Sequence, residues 1–482
     1  MNPQQILDPC LSDATPSSSS ANAHPGITGT VRGRLIRGFA ATALGPVITA
    51  IVQIVSVPVF LHFWGVKLYG EWLIISAIPT YLALSDLGFG NVASNDMTML
   101  VAAGDRESAL ETFQSTWVLI LVASALVEIS ILSTIWFLPL TRWLNLSSIG
   151  APDVRLILIL FSAYVLFVLQ KDLIVTGFRC EGNYAYGILL NNILRLAEFM
   201  IMMILVARGA GPPLVVASLL VSRIIGVFVM NRLMRRKSPW LRYGFQYVRF
   251  ASIRRLVSPA IAFMAFPAGS ALSIQGMVVV VGIVLGPVAV ATFSTIRTLT
   301  RFGFQIMEAV KFSVWPELSA AYGTRNWELA RKLHRTACQA ALWLSLAAVA
   351  FLLVGGEHIF KLWTHGRIIM DVAAFRWLLV GIVANSFWYT SSIVTIASNT
   401  HERIAALYLV GTAGCLILAR YLMPHFGISG AAVSLLAIDI VLGWYVVRLS
   451  LTRLGDCTTD FGAALLRFPG KVRLLRSVGS GH

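Results

Sequence analysis

The sequence reads as an all-α, polytopic membrane protein with about twelve transmembrane helices. Three observations carry that reading. Hydrophobic residues make up 57% of the chain and charged residues only 12%, about half the charge of a soluble domain. The apolar residues gather in long runs, such as 154–170 and 339–355, and a helical span needs about 20 of them. The basic residues, finally, fall on alternate loops in a lopsided way, the pattern that orients helical membrane proteins.

Taken in order, the spans are expected at 38–63, 71–93, 113–139, 154–176, 186–207, 212–232, 256–284, 287–315, 335–355, 372–398, 404–423 and 427–448. The seventh, eighth and tenth are interrupted by polar, Gly or Pro residues. Prolines such as Pro46, Pro58, Pro79, Pro259 and Pro267 should kink their helices, since each removes a backbone donor. Residues 1–34 are rich in Ser, Ala and Pro and read as a disordered cytosolic tail rather than a signal peptide. Residues 450–482 read as a second, basic cytosolic tail.

The net charge of +16 could point to nucleic acid, but its distribution argues against that. With the N-terminus inside, the inner segments hold 24 Lys and Arg, eight of them between Arg232 and Arg255, and the outer loops hold only Lys67, Arg142, Arg208, Lys361 and Arg367. This is the positive-inside pattern, and it places both termini in the cytosol. Anionic membrane lipids are a secondary partner for the cluster Arg235-Arg236-Lys237. The outer loops are too short for an extracytoplasmic catalytic domain. The eight His and five Cys form no metal or disulfide pattern, and there is no phosphate-binding loop of the G-x-x-x-x-G-K-[ST] form. No catalytic residue, metal or cofactor is therefore expected, and an enzyme is disfavoured.

The two halves of the chain echo each other. Ile174-Val175-Thr176 recurs as Ile393-Val394-Thr395, Gly104-Asp105-Arg106 matches Gly323-Thr324-Arg325, Gly65 matches Gly286, and Ser218-Leu219-Leu220 matches Ser434-Leu435-Leu436. Matches in one order at nearly one offset predict two pseudo-symmetric six-helix bundles, at 35–232 and 256–449, joined by a basic linker at 233–255. A substrate cavity is then expected between the bundles near the midplane.

The run Phe63-Trp64-Gly65-Val66-Lys67-Leu68-Tyr69-Gly70-Glu71-Trp72, followed by Ser85-Asp86-Leu87-Gly88-Phe89-Gly90, resembles polysaccharide and O-antigen flippases of the Wzx type, within the multidrug/oligosaccharidyl-lipid/polysaccharide (MOP) exporter superfamily. The Trp315-Pro316-Glu317 exit of the eighth span and the two-bundle layout agree with it over residues 35–450. The resemblance implies a bacterial inner-membrane protein that exports undecaprenyl-pyrophosphate-linked oligosaccharide. It also implies partnership with a polysaccharide polymerase and a chain-length regulator.

Charges inside the spans test that idea independently, because each costs on the order of 3 kcal/mol to bury in lipid. On span 8, Arg297, Arg301, Glu308 and Lys311 fall within about 80° of one another on the helical wheel. Arg297 and Arg301 suit a phosphate; Lys311 could join them or snorkel to the cytosolic surface. Arg195 and Glu198 on span 5 could serve substrate or simply pair at i, i+3. Arg223 and Asp439 hold equivalent places in the two halves and could pair with each other. Asp86, Glu128, Glu198, Glu308, Arg223 and Asp439 are the expected gating or coupling groups. The alternative functions are a cation-coupled multidrug (MATE-like) exporter and, more remotely, a membrane glycan polymerase or ligase.

Overall fold

The computed structural model describes residues 31–83, 89–137, 139–398 and 402–467; within these, the side chains of 31–43, 80–83, 256–263 and a few single positions are not described. Asp86 and most of the two expected tails lie outside the described residues. Among the described residues all regular structure is helical.

The first half comprises α1 (Val31–Phe63), α2 (Gly65–Ala83), α3 (Phe89–Ala102), α4 (Arg106–Phe137), the short α5 (Leu140–Trp143), α6 (Ala151–Cys180), α7 (Tyr184–Ala207) and α8 (Pro212–Lys237). The second half comprises α9 (Phe250–Ala271), a π-helical turn (Leu272–Gly276), α10 (Met277–Leu285), α11 (Pro287–Gly323), α12 (Trp327–Trp363), α13 (Val372–Ser391), α14 (Ile393–Ala397), α15 (Glu402–Phe426), α16 (Ile428–Leu454) and α17 (Thr458–Leu466). Ten helical stretches among the described residues are long and apolar enough to cross a membrane. The two expected spans that do not meet this measure are α2 with α3, and α11 with its Arg297, Arg301, Glu308, Lys311 and Glu317.

The internal repeat is visible in the turns. Gly65 and Gly286 both have positive φ, +73° and +85°, and each opens the helix after a sharp reversal, a geometry glycine adopts at no steric cost. The next turn is left-handed at Gly104 in one half and at Arg325 in the other. Asp105 then caps the N–H of Ser108 at 3.0 Å, as Asn326 caps that of Leu329 at 3.1 Å. Each of these pairs is 221 positions apart, so the structural match is Gly104 with Arg325; the sequence match of Gly104 with Gly323 was two residues out of register. The Ser108 N–H also holds the Asp105 carboxyl below the usual carboxylate range.

Helices α1–α8 pack mainly on one another, with α6 central against α8, α7, α4 and α3. Helices α9–α17 do likewise around α13, α16, α11 and α15. The halves meet through α2 against α10 and α11, and through α3 and α4 against α9.

At the charge-poor end the halves interlock. A Cβ on Gly70 would lie 1.8 Å from the Pro287 carbonyl oxygen, so α2 and α11 approach as only glycine permits. Trp363 Nε1 donates to the Ile54 carbonyl at 2.7 Å, and Arg367 Nη1 donates to the carbonyl of Leu61 at 2.7 Å. Phe60, Tyr69 and Trp72 form an aromatic core there with Trp64 and Phe161. Tyr69 and Trp72 are 5% and 6% exposed and belong to this core. Glu71 is fully buried and accepts the backbone N–H groups of Ser147, Ser148 and Ile149 at 2.7–3.0 Å.

At the basic end, the first turns of α9 are tied to the first half. Arg255 pairs with Asp96 at 2.7 Å, and Ser252 Oγ donates to Glu111 at 2.5 Å. The linker before α9 is clipped by Gln114, which donates to the Arg242 carbonyl and accepts from the Tyr247 N–H. Arg335 pairs with Asp456, holding α17 on α12.

Candidate functional site

A cavity of about 540 Å³ opens within the second half, walled by α9, the π turn, α11, α13, α15 and α16. All of its lining residues belong to the second half. Helix α11 supplies its charge because the four ionisable residues do share one stripe: Arg297, Arg301, Glu308 and Lys311 all line it. Asp439 of α16 faces them, and Phe266, Trp377, Trp388, Tyr389 and Tyr408 supply aromatic wall.

These groups are held differently. Arg297 Nη1 donates to the Ser273 carbonyl at 2.8 Å and to that of Ile274 at 3.5 Å, and its Nη2 donates to Ser273 Oγ at 3.3 Å. Arg301 is exposed into the cavity and forms no hydrogen bond or ion pair among the described residues. Glu308 is also exposed and accepts from the Tyr389 hydroxyl at 3.2 Å. Lys311 is only 7% exposed, donates to Ser392 Oγ at 3.1 Å and sits 3.9 Å from the Tyr389 ring centroid. It does not snorkel: the break between α13 and α14 provides a hydroxyl and an aromatic face inside the protein. Asp439 accepts from Asn385 Nδ2 and from Trp388 Nε1, both at 2.8 Å.

The remaining expected residues lie elsewhere. Arg223 is paired with Glu198 at 2.6 Å, not with Asp439, and Tyr164 bonds to both. The side chains of this pair are 7% and 6% exposed. Glu198 therefore turns away from Arg195, which is exposed on α7 outside the cavity. Arg195 thus leaves the set of cavity residues. Glu128 accepts from Ser162 Oγ at 2.5 Å, joining α4 to α6 away from the cavity. Lys171 is buried and bonds to Asp172 and to Asn191 of α7.

Sequence reasoning missed Ser273, Asn385, Trp388 and Tyr408. The available signal was Asn385 and Trp388 at i, i+3 in mid-span, a polar and an aromatic residue on one helix face far from either membrane surface.

Solved structures match this arrangement of helices over nearly its whole length. The chain has the fold of the MATE transporters. An inward-facing multidrug resistance MATE transporter of the MOP superfamily superposes with TM-score 0.68 at 18% identity, over 86% of this chain and 99% of the other. The outward-facing conformation of such a transporter gives 0.58 at 16% identity, over 90% and 95%. A MOP superfamily transporter from Pyrococcus furiosus, described by the reversed polarity of its binding pocket, gives 0.55 at 16% identity, over 88% and 94%. No protein-family model and no curated protein sequence matches the chain. Here the MATE fold carries a cavity of mixed charge in which Arg301 forms no hydrogen bond or ion pair among the described residues.

Proposed function

We propose that this chain is a bacterial inner-membrane flippase for undecaprenyl-pyrophosphate-linked oligosaccharide, working by alternating access in the assembly of a surface polysaccharide. The observation that carries this is Arg301, a permanently charged planar fork standing in a membrane-embedded cavity beside Arg297 with no acidic partner among the described residues. An unpaired charge at that depth is costly, and an anionic group arriving with the substrate would offset the cost; a diphosphate fits the geometry of two forks four residues apart. The aromatic side chains opposite offer faces for sugar rings.

The basic end is assigned to the cytosol by its excess of Lys and Arg, with both termini there. The interlocked end is then the periplasmic gate, and it is shut. The substrate would load from the cytosolic leaflet and leave toward a polymerase and its chain-length regulator. Neither nucleic acid nor enzymatic chemistry enters this reading. Deleting the gene should trap undecaprenyl-linked oligosaccharide on the cytosolic leaflet; no accumulation refutes the proposal.

A second reading, cation-coupled multidrug export, draws support from Glu308 and Asp439 in the same cavity and from the MATE neighbours. It predicts hypersensitivity of the deletion strain to cationic drugs with no trapped lipid-linked glycan.

A further inference from the structure

The seventh expected span does not run as one α-helix. Its lower part, α9, is anchored to the first half through Arg255–Asp96 and Ser252–Glu111. Its upper part, α10, packs mainly on α11 and α15 of the second half and also on α2 of the first. The π-helical turn at Leu272–Gly276 separates α10 from the part of the rod that these side-chain bonds tie to the first half, and it packs chiefly on α15 of the second half. A π turn is a local widening of the helical ladder and recurs at functional positions. Here Arg297 reaches across from α11 and fastens onto it, donating to the carbonyls of Ser273 and Ile274 and to the Ser273 hydroxyl. The same guanidinium lines the cavity, one helical turn from the free Arg301.

We propose that Arg297 is the positioning residue that transmits substrate occupancy to this hinge: a phosphate bound between Arg297 and Arg301 draws the guanidinium off the π turn and lets the α9–α10 rod change its bend. The inference rests on the anionic-substrate reading. Its physical basis is a competition. A bond from guanidinium to phosphate is roughly twice as strong as one to a neutral carbonyl, so an anion wins the fork. The Ser273 carbonyl then loses this donor inside the protein, while that of Ile274 keeps the N–H of Met277, and rewinding to the tighter α-helical ladder is the local way to satisfy the Ser273 carbonyl. Because the rod is anchored in both halves, a change of bend at residues 272–276 moves one half relative to the other.

The test uses the full chain in lipid nanodiscs with inorganic pyrophosphate as the probe. Spin labels go on Phe250→Cys and Ile283→Cys, both exposed and on either side of the π turn, with Cys10 and Cys457 replaced by Ser. Binding is followed separately by calorimetry. Pyrophosphate should shift the label-to-label distance distribution in the otherwise unaltered protein. In Arg297→Lys, which keeps the charge but cannot fork across both carbonyls, pyrophosphate should still bind and the shift should be lost. In Arg301→Ala, binding should weaken tenfold or more. Binding without a distance shift in the unaltered protein overturns the inference and leaves the flippase reading standing, as does an undiminished shift in Arg297→Lys. Absence of any pyrophosphate binding overturns both.

Discussion

The two halves share a scaffold but treat buried charge in opposite ways. In the first half, Arg223 of α8 meets Glu198 of α7 at 2.6 Å under the ring of Tyr164, and both side chains are buried. In the second half, the equivalent place on α16 holds Asp439, which accepts hydrogen bonds from the neutral donors Asn385 and Trp388 and feels the charge of Arg297 in the same cavity without forming an ion pair with it among the described residues. Across the cavity from it, Arg301 stands without an acid. One half closes its charge internally; the other leaves charge for something that arrives from outside. In a pseudo-symmetric fold, the half that fails to neutralise itself is where function is to be sought.

That contrast can be broken by substitution. The largest effect should follow from removing one member of the sealed pair. Glu198→Ala or Arg223→Ala leaves an uncompensated buried charge and should cost about 3–5 kcal/mol in unfolding measurements on the purified protein. Replacing both with apolar residues of similar size should recover much of the loss. If the single variants unfold like the parent, the first half is not sealed in this way.

Glu71→Gln comes next. Three backbone N–H groups converge on that carboxylate, and loss of its charge should cost about 1.5–3 kcal/mol, read as a lower unfolding temperature with cavity ligand affinity unchanged. Arg301→Ala should do the reverse. Its unfolding temperature should hold while affinity for a phosphate-bearing ligand falls by about 1.5–3 kcal/mol, roughly tenfold to a hundredfold. A stability loss without an affinity loss would place Arg301 with the structural residues.

The smallest effect is expected at Arg195→Ala. The side chain is exposed and outside the cavity, so both stability and glycan display should stay near the parent, within about 0.5 kcal/mol for stability. Loss of glycan display with normal protein level would bring the first half back into the site.

Much of the fold was legible because hydrophobic run length and charge asymmetry are local properties of the chain. Among the described residues the expected spans fall on helices of the structure, ten of them long and apolar enough to cross a membrane, and the repeat is anchored by turn residues whose φ demands glycine or a capped reversal. The stripe of Arg297, Arg301, Glu308 and Lys311 was legible for the same reason, since helical periodicity alone puts those residues on one face. Which acid meets which base was not. Glu198 had Arg195 as its nearest basic residue in sequence and Arg223 in space. Glu71 was only a letter in a motif until the fold brought residues 147–149 to it.

The amino-acid sequence by itself thus determined the membrane class, the helix periodicity, the repeat and the charged stripe of α11, because each depends on spacing along one helix or on counts along one loop. Only the tertiary structure decided that second-half helices line this cavity, that Arg223 is spent on Glu198, and that Arg297 grips a π turn while Arg301 forms no hydrogen bond or ion pair among the described residues. Those outcomes depend on which helices pack together, and pairing energies inside a membrane protein are set by distance and desolvation across helices rather than by neighbours in sequence.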